Sequence, residues 1–216
     1  MGEELDDILQ DMPSTSRQSQ RPRTVNDLQK GVSAMAETSG SLPIDRAQIE
    51  RLVKLYWLET YLFTDVHEKF EQGEGISEFD FYCIVYWKRN ASKTNIQKGL
   101  AKLGKTPAEL LDEVRRAEEI EAKFEVLTQV SGIGVAIASA ILAVCYPEEY
   151  TVVDTYVLRM LKDWGCLSDH SLTDERYLEY NKLCKRWSRE LGISLRQVDR
   201  VLWAKAWKER VVPPPL

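Results

Sequence analysis

Apolar residues recur at helical spacing through most of the chain, and the clearest case is the stretch 127–161. There most of them fall three or four positions apart, which is typical of helices that bury one face. The residues with this spacing are Leu127, Val130, Ile133, Ile137, Ile141, Leu142 and Val144. Two glycines, Gly132 and Gly134, bracket Ile133 where the chain must reverse. The pattern predicts two helices joined by a glycine hairpin, at about 119–146.

A third helix is predicted to begin at Asp154. Pro147 ends the second hairpin helix, Val152 and Val153 form a short buried run, and Asp154 follows at the position of a helix N-cap. In this third helix we expect Arg159 to face outward. The residues expected to face inward are Val157, Met160 and Leu161.

Cap and stop signals predict further helices on both sides of this stretch. The predicted starts are Asp45, Ser77, Thr106, Thr173 and Ser194. Thr106 and Glu109 form a capping box, and Gly192 is a predicted stop. The helix after Asp45 would carry an apolar face of Ile49, Leu52, Val53, Tyr56 and Trp57. No segment alternates at period two, so the predicted fold class is all-α.

Composition divides the chain near residue 43. Residues 1–43 combine Ser, Pro, Gln, Gly and charge with little apolar periodicity, which predicts a disordered tail. With 216 residues and 44% hydrophobic content, the chain can form one domain or a compact two-lobed unit. We therefore assign residues 44–216 to a single all-α domain. Without a signal-like N-terminus or an apolar run of membrane-spanning length, we expect an intracellular, non-secreted protein with no membrane partner.

The four cysteines do not predict a metal centre. Cys83, Cys145, Cys166 and Cys184 match no zinc spacing and no iron–sulfur cluster pattern. Buried free thiols are the better interpretation, and we predict no cofactor, although a monovalent cation could sit at the hairpin. His67 and His170 have no neighbours that indicate a triad or metal site, so they receive no role.

Charge is unevenly distributed. The net charge is −5, yet residues 81–108 contain six bases and no acid, and residues 176–210 contain ten bases and four acids. Two such basic segments indicate a possible nucleic-acid surface. The alternative is that they are ordinary solvated helix faces, and the sequence favours neither.

The hairpin also predicts an anion site. The first N–H groups of its second helix, at Gly134, Val135 and Ala136, have no partner within the helix and point outward. Together with the positive end of the helix dipole, they suit a phosphate.

The hairpin and the segment that follows it resemble the helix-hairpin-helix (HhH-GPD) superfamily of base-excision DNA glycosylases. The matching parts are Val130-Ser131-Gly132-Ile133-Gly134, the small-residue-rich stretch 136–143, and Val152-Val153-Asp154-Thr155-Tyr156-Val157. The resemblance covers about 35 residues. It implies a helical glycosylase-like fold, with Asp154 as the catalytic carboxylate.

The resemblance also bears on strand cleavage. In superfamily members that cut the strand, a catalytic lysine lies two residues after the second hairpin glycine and eighteen before the aspartate. That position is Ala136 here, so the amine needed for a Schiff base is missing. The resemblance therefore implies a monofunctional enzyme.

Asp154 has two interpretations. A carboxylate near the anomeric carbon can stabilise an oxocarbenium-like sugar or orient the attacking water. An aspartate at this position can equally be a helix cap alone. Hairpin and aspartate at the family spacing favour catalysis, and both roles are compatible.

A flipped base would need aromatic or apolar walls, and phosphates would need cations. Trp87, Tyr156 and Trp203 are the candidate walls, with the protein core as the alternative place for such side chains. Lys88 and Arg89 could contact phosphates or the base, or could simply be solvated. The complete set of predicted DNA-binding residues is Gly132, Ile133, Gly134, Val135, Ala136, Lys88, Arg89 and Arg159.

The sequence leaves two functions open. One is a monofunctional DNA glycosylase acting on double-stranded DNA as a monomer. The other is a non-catalytic DNA-binding or adaptor protein that uses the hairpin as a phosphate clamp, which the modest net charge and the long tail favour. A helical scaffold with no nucleic-acid role is a distant third.

Overall fold

A computed structural model describes residues 45–211. Throughout this range, the regular elements are helical, which confirms the predicted all-α class. The predicted tail, 1–43, lies outside the described residues. The α-helices are α1 (Arg46–Tyr56), α2 (Leu58–Tyr61), α3 (His67–Glu71), α4 (Glu78–Arg89), α5 (Lys93–Leu103), α6 (Pro107–Arg116), α7 (Ile120–Thr128), α8 (Val135–Cys145), α9 (Thr155–Asp163), α10 (Asp174–Leu191) and α11 (Leu195–Val211). A π-helical turn, Leu62–Val66, joins α2 to α3, and a 3₁₀ turn, Asn90–Ser92, follows α4.

The predicted caps explain where several helices begin and end. Thr106 and Glu109 form the capping box of α6, with Pro107 at its first position. Thr173 accepts a hydrogen bond from the third residue of α10, and Gly192 ends that helix in the left-handed conformation. The predicted starts at Thr106 and Thr173 and the predicted stop at Gly192 are confirmed. The sequence could predict them because each depends on residues within one turn of the helix end.

Helix α8 lies at the centre of the described fold. Its residues from Ile137 to Cys145 are all buried, so the helix is covered on every side. It packs against α4, α7 and the segment that contains α3 and the π turn. From α4, Phe81, Ile84 and Val85 are fully buried. A helix that is apolar all round requires neighbours all round, and these elements supply them.

The predicted hairpin joins α7 to α8, and α5 lies directly behind it. Gly132 has a φ of 98°, and a Cβ there would lie 2.8 Å from the backbone nitrogen of Ile96. From the other side, a Cβ on Gly99 would lie 2.5 Å from the carbonyl oxygen of Ser131. Two glycines therefore let the hairpin backbone and α5 touch, and they fix the position of the turn.

The predicted apolar face of α1 is present but uncovered. Its five residues are 40–81% exposed, with Tyr56 the most exposed. Helical periodicity predicted the helix correctly, and its apolar face is exposed in the described structure.

The cysteines are free, as expected, but burial holds for only part of the set. Cys145 and Cys184 are buried, Cys83 is half-buried, and Cys166 is exposed. Burial raises the pKa of Cys184 to about 12, so this thiol is unreactive at neutral pH. None of the described helices combines the length and apolar character needed to cross a membrane.

Candidate functional site

A cleft of about 500 Å³ brings together four of the residues that the sequence singled out. Asp154 lines it, with Lys88 and Trp87 from the end of α4 and Trp203 from α11. The remaining lining residues are Glu59, Val152, Val157, Arg196, Asp199, Arg200 and Ala204. Its volume is in the range of small-molecule sites, and it combines aromatic walls with charged groups.

Asp154 lies at the start of α9 and caps it. Its Oδ1 accepts a hydrogen bond from the backbone N–H of Tyr156 at 2.8 Å. Its other oxygen, Oδ2, lies 3.9 Å from Nζ of Lys88. The side chain is 25% exposed, so the carboxylate is accessible from the cleft. The capping role is therefore observed, and it fixes the direction in which the carboxylate points.

The segment just before Asp154, residues 151–153, is buried and extended, and side chains satisfy its N–H groups. Asn181 accepts from the N–H of Thr151 at 3.1 Å. Asp199 accepts from Val152 at 3.3 Å, and Ser139 accepts from Val153 at 3.1 Å.

The carbonyl groups of residues 151–153 are satisfied in the same way. The hydroxyls of Tyr177 and Tyr180 donate to the carbonyls of residues 151 and 152, at 3.0 and 3.4 Å. Nζ of Lys88 donates to the carbonyl of residue 153 at 2.7 Å. A buried backbone segment without helix or sheet partners must find such bonds elsewhere. Here α4, α8, α10 and α11 each contribute, and together they hold Asp154 at the edge of the cleft.

Lys88 is largely buried, with its side chain 14% exposed. Burial lowers its pKa, and the nearby carboxylates of Asp154 and Asp199 oppose this shift. The alternative that this cation is only solvated surface is therefore wrong. Its neighbour Arg89 is exposed, as that alternative expected.

Four charged residues of the cleft lining form a network. Arg196 forms an ion pair with Asp199 and contacts Glu59 at 2.7 Å. Glu59 also accepts from Arg200 at 2.6 Å. Burial raises the pKa of Asp199 and its cationic neighbours oppose the shift. The guanidinium of Arg196 also lies 5.2 Å from the ring centre of Trp87. This network links α11 to α2, which contains Glu59.

The hairpin end of α8 has the open N–H groups that the sequence predicted. Gly134 is the N-cap residue, and no side chain caps the helix there. Gly134 is exposed, and a Cβ there would meet nothing within 4 Å, so this position has room for a side chain. Val135 and Ala136 are half-buried, whereas Ile133 is buried and supports the turn from inside. Of these residues, Ile133 can offer a ligand only its backbone.

Two other predicted residues lie outside the cleft. Tyr156 does not line it: the side chain is 36% exposed, and Arg210 lies 4.2 Å from its ring centre. Tyr156 as a wall of the base pocket therefore stays a prediction, and the structure does not place it in this cleft. Arg159 is exposed, as predicted.

Many cations of the two basic segments have partners within the protein. In 81–108, Lys105 pairs with Glu113 at 2.6 Å, and Lys88 is held in the cleft. In 176–210, the cations found in ion pairs are Arg176, Arg186, Arg196, Arg200 and Lys205. The surface available for phosphates is therefore less basic than the sequence indicated.

Sequence reasoning missed the residues that hold Asp154 in place. Ser139, Asn181 and Asp199 are each at least 14 residues away from their backbone partners. The only sequence signal was the polar residue itself within an apolar helix face, as with Ser139 in α8. Among the described residues, no group of three side chains is placed to bind a metal ion.

Comparison with known proteins adds no assignment. A scan against protein-family models found no match to this chain, and a search of solved structures also found none.

Proposed function

We propose that the protein is a monofunctional DNA N-glycosylase-like protein of base-excision repair, with a helix-hairpin-helix glycosylase fold. It would hydrolyse the N-glycosidic bond of a flipped damaged or mismatched base in double-stranded DNA. The observation that carries this proposal is the position of Asp154, which lines a cleft together with Trp87 and Trp203.

The chemistry follows from that position. As the glycosidic bond breaks, positive charge develops on the sugar, and a fixed carboxylate stabilises it more than mobile water can. The capping bond from Tyr156 leaves Oδ2 of Asp154 available on the cleft side. Trp87 and Trp203 would hold the extruded base by stacking.

The hairpin would supply the phosphate contact. Gly134 is exposed, Val135 and Ala136 are half-buried, and their N–H groups lie at the positive end of α8, which no side chain caps. Replacing Gly134 by Val adds bulk where a Cβ meets nothing within 4 Å, so DNA affinity should fall while the fold persists. Gly75→Val is the matched control, since a Cβ on Gly75 also meets nothing within 4 Å.

The function is tested by incubating the protein with duplexes that carry a panel of damaged and mismatched bases. Alkali treatment then reveals abasic sites. We expect base release from at least one duplex and, because position 136 is alanine, no adduct after borohydride reduction. Release of no base from any duplex would refute the proposal, and a trapped adduct would refute its monofunctional part.

A non-catalytic DNA-binding or adaptor role is the second candidate. The observation that favours it is the cap bond of Asp154, since that bond alone gives the residue a structural purpose. Salt-dependent binding of duplex DNA without release of any base would support this role.

A further inference from the structure

Helix α11 carries two exposed tryptophans, of which one lines the cleft beside Asp154 and the other does not. Trp203 is 51% exposed and Trp207 is 53% exposed. Their rings are stacked, with centres 6.2 Å apart and planes 14° apart. Only Trp203 lines the cleft, so Trp207 extends the aromatic surface away from Asp154.

Two arginines lie at the ends of this aromatic pair. Arg200, Trp203, Trp207 and Arg210 are three or four positions apart, so they occupy roughly a quarter of the helix circumference. Arg200 is 52% exposed at the cleft, and Arg210 lies 4.2 Å from the ring centre of Tyr156 at the other end. We call these four residues the α11 strip.

We propose that the α11 strip is a stacking platform for unpaired nucleotides of a DNA strand. Indole rings stack on any base, and Arg200, although it pairs with Glu59, is 52% exposed and can still contact a phosphate. The two rings, with centres 6.2 Å apart and nearly parallel planes, form one continuous aromatic surface on which bases can stack.

The chemistry of the strip favours nucleic acid over a protein partner. The two charged residues of the strip, Arg200 and Arg210, are both basic. The exposed aliphatic residue of this segment, Val201, lies about 200° around the helix from Trp203 and is not part of the strip. Aromatic rings flanked by cations suit bases and phosphates better than an apolar protein surface.

The platform would continue the proposed site. Because Trp203 belongs both to the cleft and to the strip, unpaired nucleotides beside an extruded base would pass directly onto Trp207. The inference rests on the proposed function only in taking DNA as the partner. It requires no base release.

The test uses the full chain and a labelled oligothymidylate of twelve nucleotides, in low salt. We expect saturable binding by fluorescence anisotropy, accompanied by quenching of tryptophan emission. Trp207→Ala should weaken binding roughly 5- to 150-fold, the range measured for loss of one stacking ring. Trp207→Phe should retain most of the affinity, because it keeps an aromatic face.

Trp164→Ala is the matched control, since Trp164 is 48% exposed but follows the end of α9. It should bind like the wild type. Equal affinity in Trp207→Ala and the wild type, or no binding of oligothymidylate at all, would contradict the proposal that the α11 strip binds nucleotides. If Trp207→Ala instead converts a wild-type dimer to a monomer in sedimentation, the strip is a protein interface and the inference also falls. Base release is scored separately on duplexes, so either proposal can fail alone.

Discussion

Ser139→Ala should reveal how strongly α8 holds the segment before Asp154. The Ser139 hydroxyl accepts from the Val153 N–H at 3.1 Å and donates to the carbonyl of Ala136 at 2.9 Å. Both Ser139 and Val153 are 0% exposed. Removing the hydroxyl leaves a buried N–H group with no acceptor and creates only a small cavity.

The expected loss is about 1 to 3 kcal/mol of unfolding free energy, the usual cost of one buried unsatisfied polar group. For a protein of this size, that corresponds to a fall in Tm of roughly 2 to 12 °C. Urea denaturation with an unchanged m-value measures the loss as a shift in midpoint. Thr128→Val is the control, since its hydroxyl also bonds a backbone carbonyl, at 2.8 Å from the oxygen of Phe124 in α7. A loss in Ser139→Ala no larger than in this control would refute the reasoning.

The remaining predictions concern the hairpin and a buried carboxylate. Gly132→Ala should lower the midpoint of urea unfolding, because Gly132 has a φ of 98° and the backbone of Ile96 blocks a Cβ. Gly134→Ala should leave the midpoint nearly unchanged, and equal midpoints for the two variants would contradict this prediction. Burial opposes ionisation of Asp80, but hydrogen bonds, first from Lys69, outweigh it, so its pKa lies below its ordinary value of 3.8. Its stabilising contribution should therefore be present above about pH 4 and be lost as the pH falls further, and Asp80→Asn should flatten that part of the stability profile. A parallel profile in the variant would show that other groups are responsible.

The parts of the fold that sequence predicted well depend on neighbours along the chain. The capping box at Thr106, the stop at Gly192, the hairpin glycines and the cap at Asp154 each involve residues within a few positions. Such signals act within one helical turn, so they can be read without knowing the tertiary structure.

The parts that sequence could not predict depend on distant partners. Lys88 reaches the carbonyl of Val153 across 65 positions, and Arg196 reaches Glu59 across 137. The sequence does not distinguish a basic residue that faces solvent from one that is held in a cleft or an ion pair. The two basic segments therefore led us to overestimate the positive charge available on the surface. The position of the Tyr156 ring could not be predicted for a related reason. Its place near Asp154 in the sequence does not determine the side of α9 on which the ring lies.

The most direct test of a catalytic Asp154 compares base release and DNA binding in Asp154→Asn. Asparagine can still accept the Tyr156 N–H, so α9 stays capped and the fold should survive. Without a charge to stabilise the developing cation, base release should fall at least about 100-fold. Binding should hold or tighten slightly, because a negative charge near the phosphates has been removed. Asp169→Asn serves as the control, since that carboxylate caps a turn at Ser171 and does not line the cleft.

We expect Asp154→Asn to separate the two measurements, with release lost and duplex affinity kept, while Asp169→Asn changes neither. Base release by Asp154→Asn at a rate close to that of the wild type would contradict a catalytic role, and Asp154 would then be only a helix cap.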